Sequence, residues 1–289
     1  MKIEEYINIC RDCGLRILEI NEYYFKPYLW RNYSYPLNYK IAINERLIRR
    51  LRLKYLMTTV YIDSKIKNTY EFILNTDKYT LDQFKRKTRN RIKKSLKNCL
   101  FQRPELQDML NYGYEINKQT LKMQRRKDKS LTDFKLWKNY VESLYSHDNI
   151  EILGAYYNNR MVGYLIAFEL DGEYSFFNAF IDRKDSEITS PMNGLLYVMI
   201  NQLIEKNGSI NISYGLEPFE NLTELERFKL SMLFEKVPST RAYIINPILL
   251  SIFELIIFFT ICLPKRKTVR NKLVKNAVRL YQGHRILSR

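Results

Sequence analysis

The spacing of hydrophobic and polar positions changes character at about residue 150. From about 80 to 145 apolar residues recur at helical spacing, and after 150 short apolar runs alternate with turn residues. In the first part, a stripe repeating every four residues predicts a helix at 82–98, and similar spacing predicts helices at about 105–125 and 131–145. The run 57–62 is predicted as a strand, and 44–54 as a helix or a turn-rich connection.

The second part opens with three predicted strands, at 150–157, 161–170 and 174–181. Asn158-Asn159 separates the first two, and Asp171-Gly172 separates the second from the third. Asp-Gly is a strong hairpin signal because both positions tolerate positive φ. We therefore expect an antiparallel meander.

A helix is predicted at 192–206, where Ser190 provides an N-cap, Pro191 a first-turn proline and Gly208 a suitable end. The remaining predicted elements are a strand at 210–214, a helix at 222–233 and a strand at 241–246. The order β-β-β-α-β-α-β gives an α/β fold with a mixed sheet, because strands joined through a helix lie parallel. An extended ligand can bind where such strands diverge.

This order of elements, and four short motifs within it, resemble GNAT-fold acyltransferases of the FemAB-like, polysaccharide-associated branch. The motifs are Met161-Val-Gly-Tyr-Leu, Ser190-Pro-Met-Asn-Gly-Leu-Leu-Tyr, Ile212-Ser-Tyr-Gly and Leu225-Glu-Arg-Phe-Lys. The Lys/Arg-rich helix and Asn117-Lys-Gln-Thr also resemble this family, so that the resemblance covers about 80–245. It implies a GNAT-like catalytic core at 150–246, a partial, helix-rich GNAT-like region at 1–149, and an apolar and basic helical tail at 247–289.

The resemblance implies transfer of an acyl or aminoacyl group to an amine or hydroxyl of a cell-envelope glycan, peptide or lipid precursor. The implied donor is acyl-CoA or aminoacyl-tRNA, acting as a co-substrate and not as a tightly bound cofactor. In ordinary GNAT enzymes a glycine-rich loop at a helix start cradles the CoA pyrophosphate with N–H groups. The matching loop here, 187–194, lacks that glycine spacing, and Pro191 has no N–H. The sequence leaves the choice of donor open.

Three residues are candidates for catalysis, Lys229 through the resemblance and Tyr214 and Glu217 through their positions at and after the end of the predicted strand 210–214. Lys229 matches the lysine of the family's Phe-Lys motif, where a cation would stabilise the charge of a tetrahedral intermediate. Tyr214 could protonate a leaving group, and Glu217 could act as a base. A solvated lysine on an amphipathic helix and a core tyrosine are the structural alternatives for the first two.

Four residues are candidates for contact with the donor or substrate. Ser190 and Asn193 lie at a helix start, where an anion can bind, although a plain N-cap explains Ser190 equally well. Gly215 would allow a ligand to approach the backbone. Phe228 precedes Lys229 in the Phe-Lys motif.

The charge distribution predicts a polyanionic partner. The formal net charge is +17, and no acidic residue occurs from Gln83 to Pro104, which includes most of the helix at 82–98, whereas a solvated helix face usually alternates in sign. Aminoacyl-tRNA, a lipid-linked phosphate and an anionic membrane fit this helix equally, and an idle surface is the alternative. Its candidate phosphate-binding residues are Arg86, Lys87, Arg89, Arg91, Lys93 and Lys94.

The segment 247–263 is mostly apolar, with Glu254 as its only charge, and a basic run follows it. It is at the short limit for a membrane span, and Glu254 would be costly inside a bilayer. A helix lying in the membrane interface, with its basic tail on anionic lipid, fits better. A helix buried against the core and a true span are the alternatives.

Cysteine and histidine are too sparse for common metal or nucleophile chemistry. Cys10 and Cys13 form the one close pair, and the histidines are His147 and His284, whereas structural zinc needs four N or S ligands. We expect no metal, and reduced thiols near a helix end. The first residues lack the apolar core of a signal peptide, so that we expect a cytoplasmic, membrane-peripheral protein.

The sequence therefore favours an acyltransferase. The alternative from another class is a noncatalytic GNAT-derived module that binds nucleic acid or anionic membrane through its basic helix. Catalysis requires Lys229 and Tyr214 to meet in one cleft.

Overall fold

The computed structural model describes residues 1–28, 30–124, 126–184, 186–218, 222–262 and 278–288. The chain forms two units, each made of two segments. Unit 1 consists of Met1–Leu15 and Phe72–Lys236, and unit 2 of Arg16–Glu71 and Val237–Arg289. The sequence predicts functional regions with boundaries after residues 149 and 246, and this division stays a prediction.

The strands and helices of the described residues are numbered in chain order. The strands are β1 (Leu18–Ile20), β2 (Tyr23–Tyr28), β3 (Arg31–Ser34), β4 (Met57–Ile62), β5 (Thr69–Thr76), β6 (Leu100–Gln102), β7 (Ile150–Tyr157), β8 (Arg160–Leu170), β9 (Glu173–Ile181), β10 (Ile210–Leu216) and β11 (Glu235–Ile245). The helices are α1 (Ile3–Asp12), α2 (Glu45–Lys54), α3 (Arg86–Asn98), α4 (Leu106–Asp108), α5 (Tyr114–Met123), α6 (Lys129–Thr132), α7 (Phe134–Tyr145), α8 (Ser186–Thr189), α9 (Pro191–Asn207), α10 (Thr223–Ser231), α11 (Pro247–Cys262) and α12 (278–285).

The sheet of unit 1 contains the predicted meander. β7, β8 and β9 pair antiparallel in sequence order, and Asp171 and Gly172 take φ of 51° and 84° in the second hairpin. β8 is buried almost throughout, as expected for a central strand covered on both faces. This part of the fold confirms the prediction.

The crossover from β9 through α8 and α9 to β10 gives the parallel pair that the sequence predicts. The strand order in this unit is β5-β10-β9-β8-β7-β6, so that the unpredicted strand β5 lies next to β10. β11, expected as the last strand of the core, belongs to unit 2 from Val237 onward, where it pairs with β4.

The start of α9 differs from the expected side-chain cap. Ser190 precedes the helix, but its φ of 48° is left-handed and its hydroxyl makes no capping hydrogen bond. Its backbone N–H donates to the Ser186 carbonyl at 2.9 Å, because α8 ends directly before it. The prediction was right about the position of the helix start and wrong about its chemistry.

The predicted helices of the first part are present but interrupted. α3 begins at Arg86, because Leu81–Gln83 forms a separate 3-10 turn with a capping box between Thr80 and Gln83. The stretch predicted at 105–125 contains a π-helical turn at Met109–Gly113. The stretch predicted at 131–145 is divided at Asp133, whose carboxylate accepts from the Leu136 N–H and caps α7.

The main core of unit 1 lies between α1, α7 and the meander. Trp137, Tyr140 and Tyr164 are fully buried there, and the Trp137 indole donates to the Met109 carbonyl at 2.9 Å. Cys10 lies in the last turn of α1 and Cys13 at its C-cap, near the helix end as expected, and both are buried and outside any disulfide. Burial raises the pKa of the Cys13 thiol to about 12.

Unit 2 has the strand order β1-β2-β3-β4-β11. The predicted strand 57–62 is confirmed as β4, and α2 is a regular helix in which the Asn44 side chain accepts from the Leu47 N–H at 2.8 Å. Leu47 and Leu51 pack from α2 onto β4 and β11 through Val60 and Ala242. β1, β2 and β3 were not predicted.

α11 leads away from β11 in unit 2. Ile248, Ile252 and Leu255 are 73%, 46% and 56% exposed, so these three side chains are not buried against the core. Within the described part of the chain, no helix has the length and apolar character needed to cross a bilayer. The predicted basic tail at 265–275 lies outside the described residues.

Candidate active site

The two parallel strands of unit 1 separate at one point. β9 and β10 pair at Ile212 with Tyr174 and at Ser213 with Ser175, and no further, although both strands continue. After Ser213, the Gly215 N–H donates to the Ser213 hydroxyl at 3.0 Å, and Gly215 takes a φ of 81°. The positive φ requires glycine, since a residue with a side chain would be strained there. β10 therefore turns away from β9 at Tyr214.

Lys229 lies at this separation. Its side chain is buried, with the residue 4% exposed. The ammonium donates to the backbone carbonyl of Tyr214 at 2.6 Å, and it lies 4.4 Å from the ring centroid of Phe72 and 4.7 Å from that of Tyr214. The carbonyl and the two ring faces compensate part of the cost of removing the charge from water. Lys229 is thus not a solvated surface lysine.

The helix that carries Lys229 has an inverted pattern. Lys229 is its buried residue, whereas Leu225 and Leu230 of the same helix are 37% and 45% exposed. An amphipathic helix normally turns its leucines inward and its lysines outward. The inversion fixes a positive charge at the end of β10.

Tyr214 contributes an aromatic wall to the same place. Its ring packs edge to face against Phe176 and Phe234, with both centroid distances 5.3 Å. Burial raises the pKa of its phenol well above the usual range, so that the hydroxyl stays protonated at neutral pH. Among the described residues the hydroxyl has no hydrogen-bond partner. Tyr214 therefore carries a proton at neutral pH, and the raised pKa makes its phenol a weaker acid than a solvated tyrosine.

Glu217 and Phe228 are the remaining candidates on the segments that carry Tyr214 and Lys229. Glu217 follows the end of β10 and is partly exposed. Phe228 is half-buried, and its carbonyl accepts from the Ser231 hydroxyl at 2.8 Å at the end of α10. Neighbouring residues of a helix point about 100° apart, so that Phe228 and Lys229 do not share a face. The roles of both residues stay predictions.

Asn193 is turned inward and not toward an open anion site. It is 6% exposed, and its side-chain amide donates to the sulfur of Met232 at 3.3 Å. The backbone N–H of Asn193 donates to the Ser190 carbonyl, and Pro191 has none. Two of the first three helical residues thus offer no N–H to a ligand, and the start of α9 is not an open pyrophosphate cradle.

The loop before α9 is also held by α3. Lys94 donates from its ammonium to the Glu187 carbonyl at 2.6 Å, and the Asn98 amide donates to the Ile188 carbonyl at 3.1 Å. The tip of Lys94 therefore has a structural partner, which restricts its freedom to meet a ligand.

The candidate phosphate-binding cations form a solvated surface on α3. None of them makes a salt bridge with another described residue. A hydrogen bond with the Thr80 side chain is the main cause that lowers the pKa of the Asp82 carboxyl, and the charge of Arg89 contributes less. The exposed members are Arg86, Lys87, Arg91, Lys93 and Lys94, and Arg89 is partly exposed. Their function stays a prediction.

Three aromatic residues of the site were missed from the sequence. Phe72 lies on β5, which was not predicted. It is far from Lys229 in sequence, so that no local pattern could indicate their contact. Phe176 and Phe234 lie beside Tyr214, but the chain has 15 phenylalanines and nothing in the pattern distinguishes these. The divergence point of the two strands was the one signal that could have selected Phe176. Among the described residues, no cluster of His, Cys, Asp or Glu is placed to hold a metal ion.

Comparisons with known proteins agree on the fold. No protein-family model and no curated protein matches the chain. Among solved structures, the crystal structure of FemX matches with a TM-score of 0.58 and 11% identity, over 88% of this chain and 93% of FemX. The chain has the GNAT-type fold of FemAB-like proteins.

Two further structures share this fold. The C-terminal domain of a putative lysylphosphatidylglycerol synthetase from Agrobacterium fabrum has a TM-score of 0.55 and 11% identity, over 87% of this chain and 91% of that one. L-PGS from Bacillus licheniformis has a TM-score of 0.52 and 14% identity, over 84% and 90%. The predicted fold class and resemblance are confirmed, and at these identities the likeness concerns the fold alone.

Proposed function

We propose that this chain is an acyltransferase whose reaction centre lies where β9 and β10 separate. The observation that carries the proposal is the buried ammonium of Lys229, held against the Tyr214 carbonyl and two aromatic rings. A positive charge held in a poorly solvated site interacts more strongly with developing negative charge than it would in water. The shared fold supports the same function.

In the proposed reaction, an amine or hydroxyl of the acceptor attacks the carbonyl carbon of the donor. Lys229 stabilises the negative charge that develops on the carbonyl oxygen. When the intermediate collapses, the bond to the leaving group breaks, and the Tyr214 phenol gives that group its proton. Glu217 takes the proton released by the acceptor. The acyl group is transferred without oxidation or reduction.

We propose aminoacyl-tRNA as the donor, ahead of acyl-CoA. The start of α9 has no open pyrophosphate cradle, which disfavours the usual mode of CoA binding. The solvated cations of α3 suit a phosphate backbone. The name of one similar structure, lysylphosphatidylglycerol synthetase, specifies an aminoacyl group for that protein.

The proposed acceptor is a lipid or a lipid-linked precursor of the cell envelope. The same name specifies an anionic phospholipid as the group that is lysylated in that protein. We accordingly propose a cytoplasmic, membrane-peripheral location. The alternative of a noncatalytic binding module gains no support from the comparisons.

The test is a transfer assay with the full chain. Radiolabelled aminoacyl-tRNA (a mixture of amino acids) and radiolabelled acetyl-CoA are offered separately, with bacterial lipid extract and peptidoglycan precursors as acceptors. We expect label to move from aminoacyl-tRNA into one acceptor fraction. Transfer from acetyl-CoA alone would keep the reaction class and overturn the donor, and transfer from neither would overturn the function.

A further inference from the structure

α11 presents an exposed aliphatic stripe in unit 2. Ile248, Ile252 and Leu255 are 73%, 46% and 56% exposed, and they are spaced at i, i+4 and i+7 along the helix. Residues with this spacing share one face. Contiguous exposed apolar surface is unusual on a soluble protein and marks an interaction site.

The end of α2 extends this stripe. Asn246, directly before α11, donates from its side-chain amide to the Arg52 carbonyl at 2.9 Å and from its backbone to the Leu56 carbonyl at 2.9 Å. These two bonds fix the start of α11 beside the end of α2. Leu53 and Leu56, which are 72% and 46% exposed, therefore lie next to the stripe.

α2, whose end lies beside the start of α11, carries positive charge. α2 carries four exposed cations, and none of them makes a salt bridge within the described part of the chain. The acidic residues of the two helices are Glu45 and Glu254. The exposed cations are Arg46, Arg49, Arg50 and Lys54.

We propose that α11 and the end of α2 form a docking surface for an anionic phospholipid bilayer, with α11 lying in the plane of the interface. Aliphatic side chains beside Lys and Arg are the pattern of interfacial helices, because the first enter the acyl boundary and the second meet anionic headgroups. The proposal rests on the membrane-peripheral location proposed above and specifies its surface. It does not depend on the transfer chemistry.

Charge favours a bilayer over the other possible occupants. Nucleic acid would meet the cations of α2 but would leave Ile248 and Ile252 in water. A second copy of the chain, docked through the same surface, would bring two sets of α2 cations together, and like charges oppose such a contact. An anionic bilayer satisfies both the aliphatic and the cationic parts.

The experiment is vesicle flotation of the full chain with phosphatidylcholine alone and with phosphatidylcholine containing phosphatidylglycerol. Two double variants test the surface: Ile248→Ser with Ile252→Ser, and Arg49→Glu with Lys54→Glu. Matched controls lie in unit 2 outside α2 and α11, namely Leu37→Ser, at a leucine that is 54% exposed, and Lys40→Glu with Lys65→Glu, at exposed lysines. Circular dichroism and thermal melting confirm that each variant is folded.

We expect binding that requires phosphatidylglycerol, falls by about tenfold or more in each test variant, and persists in the controls. No binding by the unaltered chain would overturn the proposal, as would equal losses in tests and controls. A change from dimer to monomer in the serine variant without vesicle binding would assign the surface to self-association instead. A loss of tRNA binding alone would assign it to nucleic acid. Failure here leaves the transfer assay interpretable, because that assay follows label from the donor into an acceptor and does not measure binding to a bilayer.

Discussion

Lys229 occupies a position that an ordinary amphipathic helix would give to a leucine. Burying an ammonium is unfavourable even when a carbonyl and two rings surround it, and a hydrophobic residue of similar volume is commonly tolerated as well or better. The leucines at 225 and 230 face outward on the same helix. The inward position of Lys229 is consistent with the role proposed for it, the stabilisation of negative charge in the reaction.

Tyr164 links the stability of unit 1 to alkaline pH. It is fully buried, and burial raises the pKa of its phenol well above the usual value of 10. Above pH 10 the unfolded chain releases this proton while the folded chain keeps it, so that the folded state loses relative stability as the pH rises. Below pH 9 the phenol is protonated in both states, so that it contributes no pH dependence to the free energy of unfolding.

We expect the free energy of unfolding to fall above pH 10 by up to about 1.4 kcal/mol per pH unit for this group. Urea titrations at pH 8, 10 and 11 measure it. Other buried tyrosines add to the slope, so the comparison is with Tyr164→Phe, which should be less stable at pH 8 because it loses the hydrogen bond to Asn117. Its slope above pH 10 should be shallower, and equal slopes would contradict the assignment.

At the scale of elements, Gly194 controls how closely α9 approaches α3. A Cβ at this position would lie 2.3 Å from Cζ of Phe101 and 2.4 Å from the Ser95 hydroxyl. Gly194→Ala should therefore lower the free energy of unfolding by about 1–3 kcal/mol, despite the better helix propensity of alanine. Urea denaturation measures this. Gln202→Ala, at an exposed position of the same helix, should change it by less than about 0.5 kcal/mol.

The surface of α3 predicts salt-dependent binding of tRNA. Lys87→Glu with Lys93→Glu removes two exposed cations. We expect weaker binding and a slope of log K against log salt that is shallower by about 0.7–0.9 for each phosphate that the variant no longer neutralises. Filter binding across a salt series measures this. Lys122→Glu with Lys135→Glu makes the same charge change outside α3 and is the control. An identical effect in the control would show that tRNA binding depends on the net charge of the protein and not on α3.

The sequence predicts elements well where local signals define their ends. The meander was located because Asn158-Asn159 and Asp171-Gly172 adopt the positive φ that those residue types allow. β5 was missed because no hairpin turn signal comparable to Asp171-Gly172 joins residues 69–76 to a neighbouring strand in sequence. Ser190 shows a different limit, since a serine before a proline helix start can take either a capping or a left-handed conformation, and α8 decides between them.

At the scale of the whole molecule, each unit combines segments that are far apart in sequence. β11 completes unit 2 by pairing with β4, from Thr240 opposite Ile62 to Ile245 opposite Met57. Local patterning cannot reveal such a pairing, because a strand's own residues do not specify its neighbour. For the same reason the sequence could identify Lys229 and Tyr214 as candidates, through the motifs that carry them, but not Phe72.

The central claim is that the buried charge of Lys229 drives acyl transfer, and the most direct measurement is the kcat of Lys229→Met with the donor found in the transfer assay. Methionine keeps much of the packing against Phe72 and Tyr214 but removes the charge. The control is Lys236→Met, whose exposed ammonium lies 5.9 Å from the Phe72 ring and pairs with Glu226. We predict a kcat lower by about 100-fold or more for Lys229→Met, with an unchanged fold, and near-normal turnover for the control. Equal turnover in the two variants would contradict the account.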